Sequence, residues 1–141
     1  MTAEDLNIPS ELVKILMDIG YVATGRGFQS QAAEIFSGVI AARPNSELPL
    51  IGLAVSKINF GNFLEASKIL SERALIINPN SGLAKCFLSM AIRALGGKSE
   101  ADELLNEVVQ SEESDECSKK LATDLINQQS KSSSAMPLPG L

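Results

Sequence analysis

Few residues of this sequence could carry out chemistry, and none of its 141 residues is histidine. Histidine supplies the base of Ser-His and Cys-His nucleophile pairs, the commonest general base and a ligand of many zinc sites. The two cysteines, Cys86 and Cys117, lie far apart and form no CxxC motif, so neither a zinc ribbon nor a dithiol redox centre is predicted. We expect two reduced thiols in a cytosolic protein, with no metal and no cofactor.

The other candidates for a catalytic or cofactor-binding site are one tyrosine, a pair of glycines and three pairs of adjacent carboxylates. Paired carboxylates can act as general acid and base, but these pairs lie where helix ends are predicted and are interpreted as solvated caps. Gly25-Arg26-Gly27 lacks the third glycine and the preceding strand of a dinucleotide-binding loop. Tyr21 is interpreted as a groove or core residue, and we predict that the protein is not an enzyme. The carboxylate pairs are Glu4/Asp5, Glu112/Glu113 and Asp115/Glu116.

Charge and composition exclude further classes of function. With 12 basic and 17 acidic residues, the net charge is −5, which disfavours binding to nucleic-acid phosphates. The longest apolar stretches are interrupted before the roughly 18 residues that a membrane span needs, and the acidic N-terminus does not resemble a signal peptide. We expect a cytoplasmic protein with no nucleic-acid partner and no membrane insertion. Because 45% of the residues are hydrophobic but only 4% aromatic, the core should be aliphatic, which suits packed helices.

The elements that position these residues follow from an internal repeat. Gly27, Gly61 and Gly96 are separated by 34 and 35 positions, and an alanine lies five residues after each of them. Glycine can adopt the positive φ of a tight turn, and a small alanine lets two helices approach closely. Pro44 and Pro79 end the second helices, and apolar residues between these markers recur every three or four positions. The pattern predicts three successive helix–turn–helix units.

This pattern resembles the tetratricopeptide repeat (TPR) family. The resemblance implies an all-α fold, a right-handed superhelical stack of three TPR-like helix–turn–helix repeats plus a C-terminal capping helix. We expect repeats at about 13–46, 47–80 and 82–113 and a capping helix at about 115–129. Together these form a TPR-like domain over residues 10–129, with a short N-terminal arm over 1–9 and a flexible tail over 130–141.

The sequence departs from the family pattern at four points. The second repeat has one extra residue before Pro79, and Glu113 stands where a proline is expected. Lys57 and Lys85 occupy positions that are usually apolar. The apolar core between the helices is still expected to be complete, and it includes Leu16, Ile19, Leu50, Leu53, Leu88 and Ile92 from the first helices.

In this family the first helix of each repeat lines the concave face of the stack. The resemblance assigns fifteen positions to this groove, and nine of them are apolar or aromatic, more than a monomer normally leaves in water. An amphipathic helix or an extended peptide of a protein partner would fit such a surface. The strip could also be buried within the fold, covered by the tail at 136–141, or buried in a homodimer. The predicted partner-binding groove consists of Met17, Tyr21, Leu48, Ile51, Val55, Ile58, Leu83, Cys86 and Met90.

The groove composition favours one kind of partner. Some TPR proteins grip an acidic C-terminal peptide with Lys, Asn and Arg, but the matching positions here are Met17, Tyr21, Gly52, Leu83 and Phe87. Size, acidity and an aliphatic groove resemble instead the small TPR-type chaperones of bacterial type III secretion. This resemblance implies a bacterial cytoplasmic chaperone, connected with virulence and protein transport. It would mask an amphipathic segment of a secreted or assembling subunit and prevent premature self-association. The alternative is a structural TPR scaffold that homo-oligomerises through the same apolar strip.

Overall fold

The computed structural model describes residues 8–133, which form seven helices and no strand. The predicted all-α fold is therefore confirmed. Helices α1 and α2 pair, as do α3 and α4, and α5 and α6, while α7 packs on α6 and α5. The helices are α1 Ser10–Gly25, α2 Gln29–Ala42, α3 Leu48–Asn59, α4 Phe63–Ile69 continued by Leu70–Ala74 and Leu75–Ile77, α5 Gly82–Ala94, α6 Lys98–Gln110 and α7 Glu116–Ser133.

A glycine turn joins the two helices of each pair, as predicted. Gly27, Gly61 and Gly96 have φ angles of 84°, 82° and 100°, a region that L-residues with a side chain rarely adopt. In each turn a backbone N–H bonds back to a carbonyl five residues earlier, which closes the end of the first helix. Because the closure is the same in all three repeats, each second helix leaves its turn in the same direction. The three bonds run from Phe28 to Ala23 (2.9 Å), Asn62 to Lys57 (2.8 Å) and Gly97 to Ile92 (2.9 Å).

The core is built from equivalent positions of the second helices. The alanine that follows each turn is fully buried, as is the large apolar residue four positions later. This spacing puts both side chains on the side of the helix that meets the first helix of the pair. The small residue allows the close approach and the large residue fills the space beside it. The buried pairs are Ala32 and Phe36, Ala66 and Leu70, and Ala101 and Leu105.

Phe36 is the largest fully buried side chain, and two glycines make room for it. A Cβ added at Gly20 of α1 would lie 2.7 Å from Cζ of the ring, and one at Gly52 of α3 would lie 2.7 Å from Cδ1. Tyr21 packs edge-on against the same ring, with centroids 5.2 Å apart. Phe36 therefore joins the first two repeats, since its ring lies between α1 and α3.

The extra residue of the second repeat is accommodated by a π-helical turn within α4, at Leu70–Ala74. In α2 the buried residues Phe36 and Val39 are three positions apart, whereas their equivalents Leu70 and Ala74 are four apart. The wider turn keeps both Leu70 and Ala74 in the core despite the insertion. From Ala74 onward the spacing to Pro79 equals that from Val39 to Pro44.

The two lysines at usually apolar positions lie at the edges of the core. Lys57 pairs with Glu65 at 3.5 Å and Lys85 with Glu107 at 3.2 Å, and each lysine is largely buried while its partner is exposed. The aliphatic stem of a lysine can pack against apolar neighbours while its ammonium group reaches outward. Each of these ion pairs connects the two helices of one repeat.

The capping helix α7 begins one residue after its predicted start. The Asp115 carboxylate accepts a hydrogen bond from the Ser118 backbone N–H at 2.9 Å, and hydrogen bonding to Ser118 lowers the pKa of Asp115. Ser118 packs closely on α5, because a Cβ added at Gly82 would lie 2.7 Å from the Cβ of Ser118. α7 continues through Ser133, past the predicted end at residue 129. The rest of the predicted tail and residues 1–7 of the predicted arm lie outside the described residues.

The prediction that Ile19 belongs to the core is wrong. Ile19 of α1 is 47% exposed, whereas its equivalents Leu53 and Leu88 are buried. The physical reason is its place in the stack: α3 packs on the preceding α2 and α5 on the preceding α4, but no described helix precedes α1. The neighbouring Leu16 is only half-buried.

Candidate functional site

An open pocket of about 260 Å³ lies between the first helices of the three repeats. Five of the nine predicted groove residues line it, although they are far apart in the sequence. α1 contributes two of them, α3 two and α5 one. The structure thus brings together Met17, Tyr21, Leu48, Ile51 and Leu83.

The walls of this pocket are accessible and its floor is part of the core. Leu48 is 52% exposed and Tyr21 39% exposed, while Met17 and Leu83 are half-buried and pack on the core. Ile51 is fully buried, so it supports the other side chains from below. Burial raises the pKa of the Tyr21 hydroxyl, which therefore stays neutral at physiological pH and adds no charge to the wall.

The other four predicted groove residues do not line the pocket. Val55 and Ile58, further along α3, are half-buried and pack against the core, and Met90 of α5 is also half-buried. Cys86 is fully buried among residues of α6 and α7. Its thiol lies 3.6 Å from the Ser118 carbonyl oxygen, so a partner cannot reach it while α7 is in place. Burial, with a smaller effect of the Asp115 charge, raises the pKa of Cys86 to about 11.

Polar residues also lie at the rim of the pocket, outside the nine predicted partner-binding residues. Lys14 and Asp18 of α1 and Arg43, just after α2, also line it. The Arg43 guanidinium donates hydrogen bonds to the backbone carbonyls of Ala42 and Ile8, which ties the start of α1 to the end of α2. Lys14 is one of the fifteen positions that the resemblance assigns to the groove. Asp18 lies four residues after Lys14 and three before Tyr21, a helical spacing that could have revealed it. Nothing in the sequence indicated Arg43, since it comes from the connection between repeats.

A second, polar hollow adjoins the apolar pocket. It shares Leu48 and Leu83 with that pocket and is otherwise lined by acidic, amide and hydroxyl side chains. Asn78 donates a hydrogen bond to Glu47 at 3.1 Å, which links the end of the second repeat to its beginning. The concave surface therefore offers an apolar pocket rimmed by Lys14, Asp18 and Arg43 and, next to it, an acidic hollow. The acidic residues of the hollow are Glu47, Glu113 and Asp115.

The described residues show no grouping that suggests metal chemistry. No cluster of three or more His, Cys, Asp or Glu side chains within residues 8–133 could hold a metal ion. In the same range no helix combines the length and the apolar character needed to cross a bilayer.

Comparison with known proteins identifies the fold. The sequence matches no protein-family model and no curated protein. Among solved structures, the first TPR of Spaghetti (RPAP3) bound to the HSP90 peptide SRMEEVD is similar, with a TM-score of 0.68 and 18% identity. The similarity covers 92% of this chain and 99% of that chain. The chain has the TPR fold.

Two similar TPR-fold structures come from type III secretion systems. A type III secretion complex from Aeromonas hydrophila has a TM-score of 0.72 at 15% identity, over 97% of this chain and 93% of that chain. The type III secretion translocator chaperone SycD of Yersinia enterocolitica has a TM-score of 0.71 at 16% identity, over 90% of this chain and 98% of that chain. The predicted resemblance to TPR proteins, type III secretion chaperones among them, is therefore confirmed as a likeness of fold.

Proposed function

We propose that this TPR-fold protein is a non-enzymatic protein-binding module whose concave groove holds an amphipathic helix or extended peptide of another protein. The observation that carries the proposal is the apolar pocket between α1, α3 and α5, with Leu48 half-exposed at its mouth. Ile51 beneath it is fully buried, so the pocket is preformed. A partner side chain can then bind without the cost of ordering the site.

Masking apolar surface is the mechanism that this pocket supports. An apolar side chain that leaves water gains about 25 cal/mol per Å² of area removed. An amphipathic segment of the partner that would otherwise associate with other copies of itself makes apolar contacts in the groove instead. A partner held in this way cannot assemble prematurely, which is the action of a chaperone rather than of a catalyst.

The finer proposal is a cytoplasmic bacterial chaperone for a type III secretion subunit. Two similar structures come from such systems. The groove chemistry also supports an apolar client over an acidic peptide tail. At the positions where the resemblance to peptide-clamping TPR proteins would place Lys, Asn and Arg, this chain has apolar residues or glycine: Met17, Tyr21, Gly52, Leu83 and Phe87.

Site-specific photo-crosslinking tests the groove. A photoreactive phenylalanine is placed at Leu48 in the pocket and, as a matched control, at Leu64 of α4, which is 59% exposed and does not line the pocket. After irradiation in the native host, we expect Leu48 but not Leu64 to crosslink to one client protein. Mass spectrometry of the crosslink then identifies the client segment.

The identity of the crosslinked segment separates the alternatives. A type III secretion subunit would support the finer proposal. A different client would support only the proposal that the protein is a protein-binding module. A crosslink to residues 136–141 would mean that the chain fills its own groove. A crosslink to a groove residue of a second copy would favour the homo-oligomeric scaffold. Equal crosslinking from Leu48 and Leu64 would contradict the proposal that the groove binds the client.

A further inference from the structure

Helix α1 carries a second apolar surface, away from the groove. Leu12, Ile15, Ile19 and Val22 are 43%, 53%, 47% and 59% exposed. Their spacing of three, four and three residues places them in one line along the helix. Met17 lies on the opposite side and faces the pocket. We call the four residues the α1 stripe.

The α1 stripe corresponds to a surface that the later repeats bury. In the later repeats the first helix packs on the helix that precedes it, α3 on α2 and α5 on α4. Among the described helices, α1 makes extensive contacts only with α2 and α3, which both follow it. The inner side of α1 makes those contacts through the buried residues Gly20, Ala23 and Thr24. A line of four large apolar side chains left in water is unusual for a monomer and indicates an interface.

We propose that the α1 stripe binds the α1 stripe of a second copy of this chain, with the two helices antiparallel. The spacing of three, four and three residues is the same when it is taken from either end. Leu12 of one copy therefore packs beside Val22 of the other, and Ile15 beside Ile19. A two-fold interface needs this self-complementarity, because the same patch is used on both subunits.

The charges at the two ends of the stripe favour the antiparallel arrangement. Glu11 lies at the start of α1 and Arg26 directly after its end, and both are exposed. Neither forms an ion pair within residues 8–133. In the antiparallel pair, each Glu11 comes within about one helical turn of Arg26 of the other copy. A parallel pair would instead place like charges together at each end.

One contact opposes the dimer. Asp18 flanks the stripe near its middle, so the two-fold axis brings the Asp18 side chains of both copies close together. The repulsion between these carboxylates weakens the dimer, and Asp18→Asn should tighten it. The dimer leaves the groove open, since the stripe and the pocket are on opposite sides of α1. The proposal therefore does not depend on the proposed client binding.

Sedimentation velocity of the full chain over a range of concentrations up to about 1 mM tests the interface. We expect a monomer–dimer equilibrium whose dissociation constant rises about tenfold or more in Ile15→Asp, because an apolar contact is lost on both sides. The matched control is Leu64→Asp, at a similarly exposed leucine outside the stripe, which should leave the equilibrium unchanged. A chain that stays monomeric, or equal effects of the two variants, would overturn the proposal.

Disulfide trapping tests the antiparallel alignment. Cys117, the exposed thiol, is first replaced by serine, and Leu12→Cys and Val22→Cys are introduced in separate chains. Oxidation should link the two proteins when they are mixed and neither protein to itself. Self-linking of either protein in preference to the mixed product would overturn the arrangement, as would the absence of any linked product.

A charge exchange provides a third test. Glu11→Arg and Arg26→Glu should each weaken the dimer, and the double variant should restore it, because the attractive pairs are re-formed with reversed signs. If the double variant is weaker than both single variants, the two residues do not meet and the antiparallel pairing is wrong.

Discussion

Phe36 shows how single residues fix the approach of neighbouring repeats. Its ring fills the space left by Gly20 of α1 and Gly52 of α3, and Tyr21, a wall of the pocket, packs on its edge. A change to the ring or to either glycine therefore acts on the separation of α1 and α3, which border the groove. At the residue scale, the shape of the pocket depends on Phe36, Gly20 and Gly52, none of which lines it.

Gly52→Ala should destabilise the fold by about 1–3 kcal/mol, because the added methyl group overlaps the Phe36 ring. The matched control is Gly38→Ala in α2, where an added Cβ meets nothing within 4 Å. There the better helix propensity of alanine should stabilise by about 0.5–1 kcal/mol. Urea unfolding measures both. A neutral Gly52→Ala would show that α1 and α3 separate easily to admit the methyl group.

The two thiols should react at very different rates. Cys86 is buried and its pKa is raised to about 11, so the folded protein presents almost no thiolate there at neutral pH. Cys117 is exposed. With a disulfide reagent such as DTNB at pH 8, we expect one fast thiol per folded chain and a second only after unfolding. Cys117→Ser should abolish the fast phase, and a residual fast phase would mean that Cys86 is accessible.

At the scale of the element, α4 shows that a repeat can carry an extra residue without losing its core. The π-helical turn Leu70–Ala74 adds one residue between two buried positions and leaves everything before and after it in register. The exposed residues Ser71, Glu72 and Arg73 lie within that turn. The insertion therefore projects into solvent and alters no buried side chain.

Deletion of Glu72 should accordingly be tolerated. It restores the three-residue spacing between Leu70 and the next buried position, as between Phe36 and Val39 in α2, and converts the π turn to α-helix. The matched control deletes Ser37, which removes one residue between Phe36 and Val39 and rotates the rest of α2 out of register. Circular-dichroism melting should show a small shift for the first deletion and loss of the cooperative transition for the second. Similar damage from both deletions would mean that the π turn is needed.

Much of the helical architecture could be predicted from the sequence, because the turn glycines and the alanines after them impose the same constraint in every repeat. The exposure of Ile19 could not be predicted, since it depends on whether another helix precedes α1 rather than on any local pattern. The apolar face of α5 allowed Cys86 to be either a groove residue or a buried small hydrophobe, and the packing of α7 on α5 decides for burial. The pocket was predicted in part: Met17, Tyr21, Leu48 and Leu83 are accessible there, while Arg43 comes from a connection whose position is set by the stack.

At the scale of the whole molecule, the interior consists of two adjoining clusters. One runs through the helices from α1 to α5, and the other joins α5, α6 and α7 around Cys86, Leu105, Val108 and Ala122. The pocket belongs to the first cluster and the capping helix to the second. The cap can therefore open locally while the pocket stays formed, as regions of a native protein commonly do at different free energies.

Ala122→Asp tests this division. Ala122 is fully buried in the second cluster, and a carboxylate there has no described partner, so α7 should detach more often. Because α7 covers Cys86, its opening should appear as a faster reaction of Cys86 with DTNB, in a Cys117→Ser background, by about tenfold or more. Thr123→Asp, at the exposed neighbouring position, should leave that rate unchanged. Fluorescence of Tyr21 should stay native in Ala122→Asp at denaturant concentrations where Cys86 already reacts, since Tyr21 packs on Phe36 in the first cluster. Simultaneous loss of both signals would show instead that the cap and the pocket unfold as one cooperative unit.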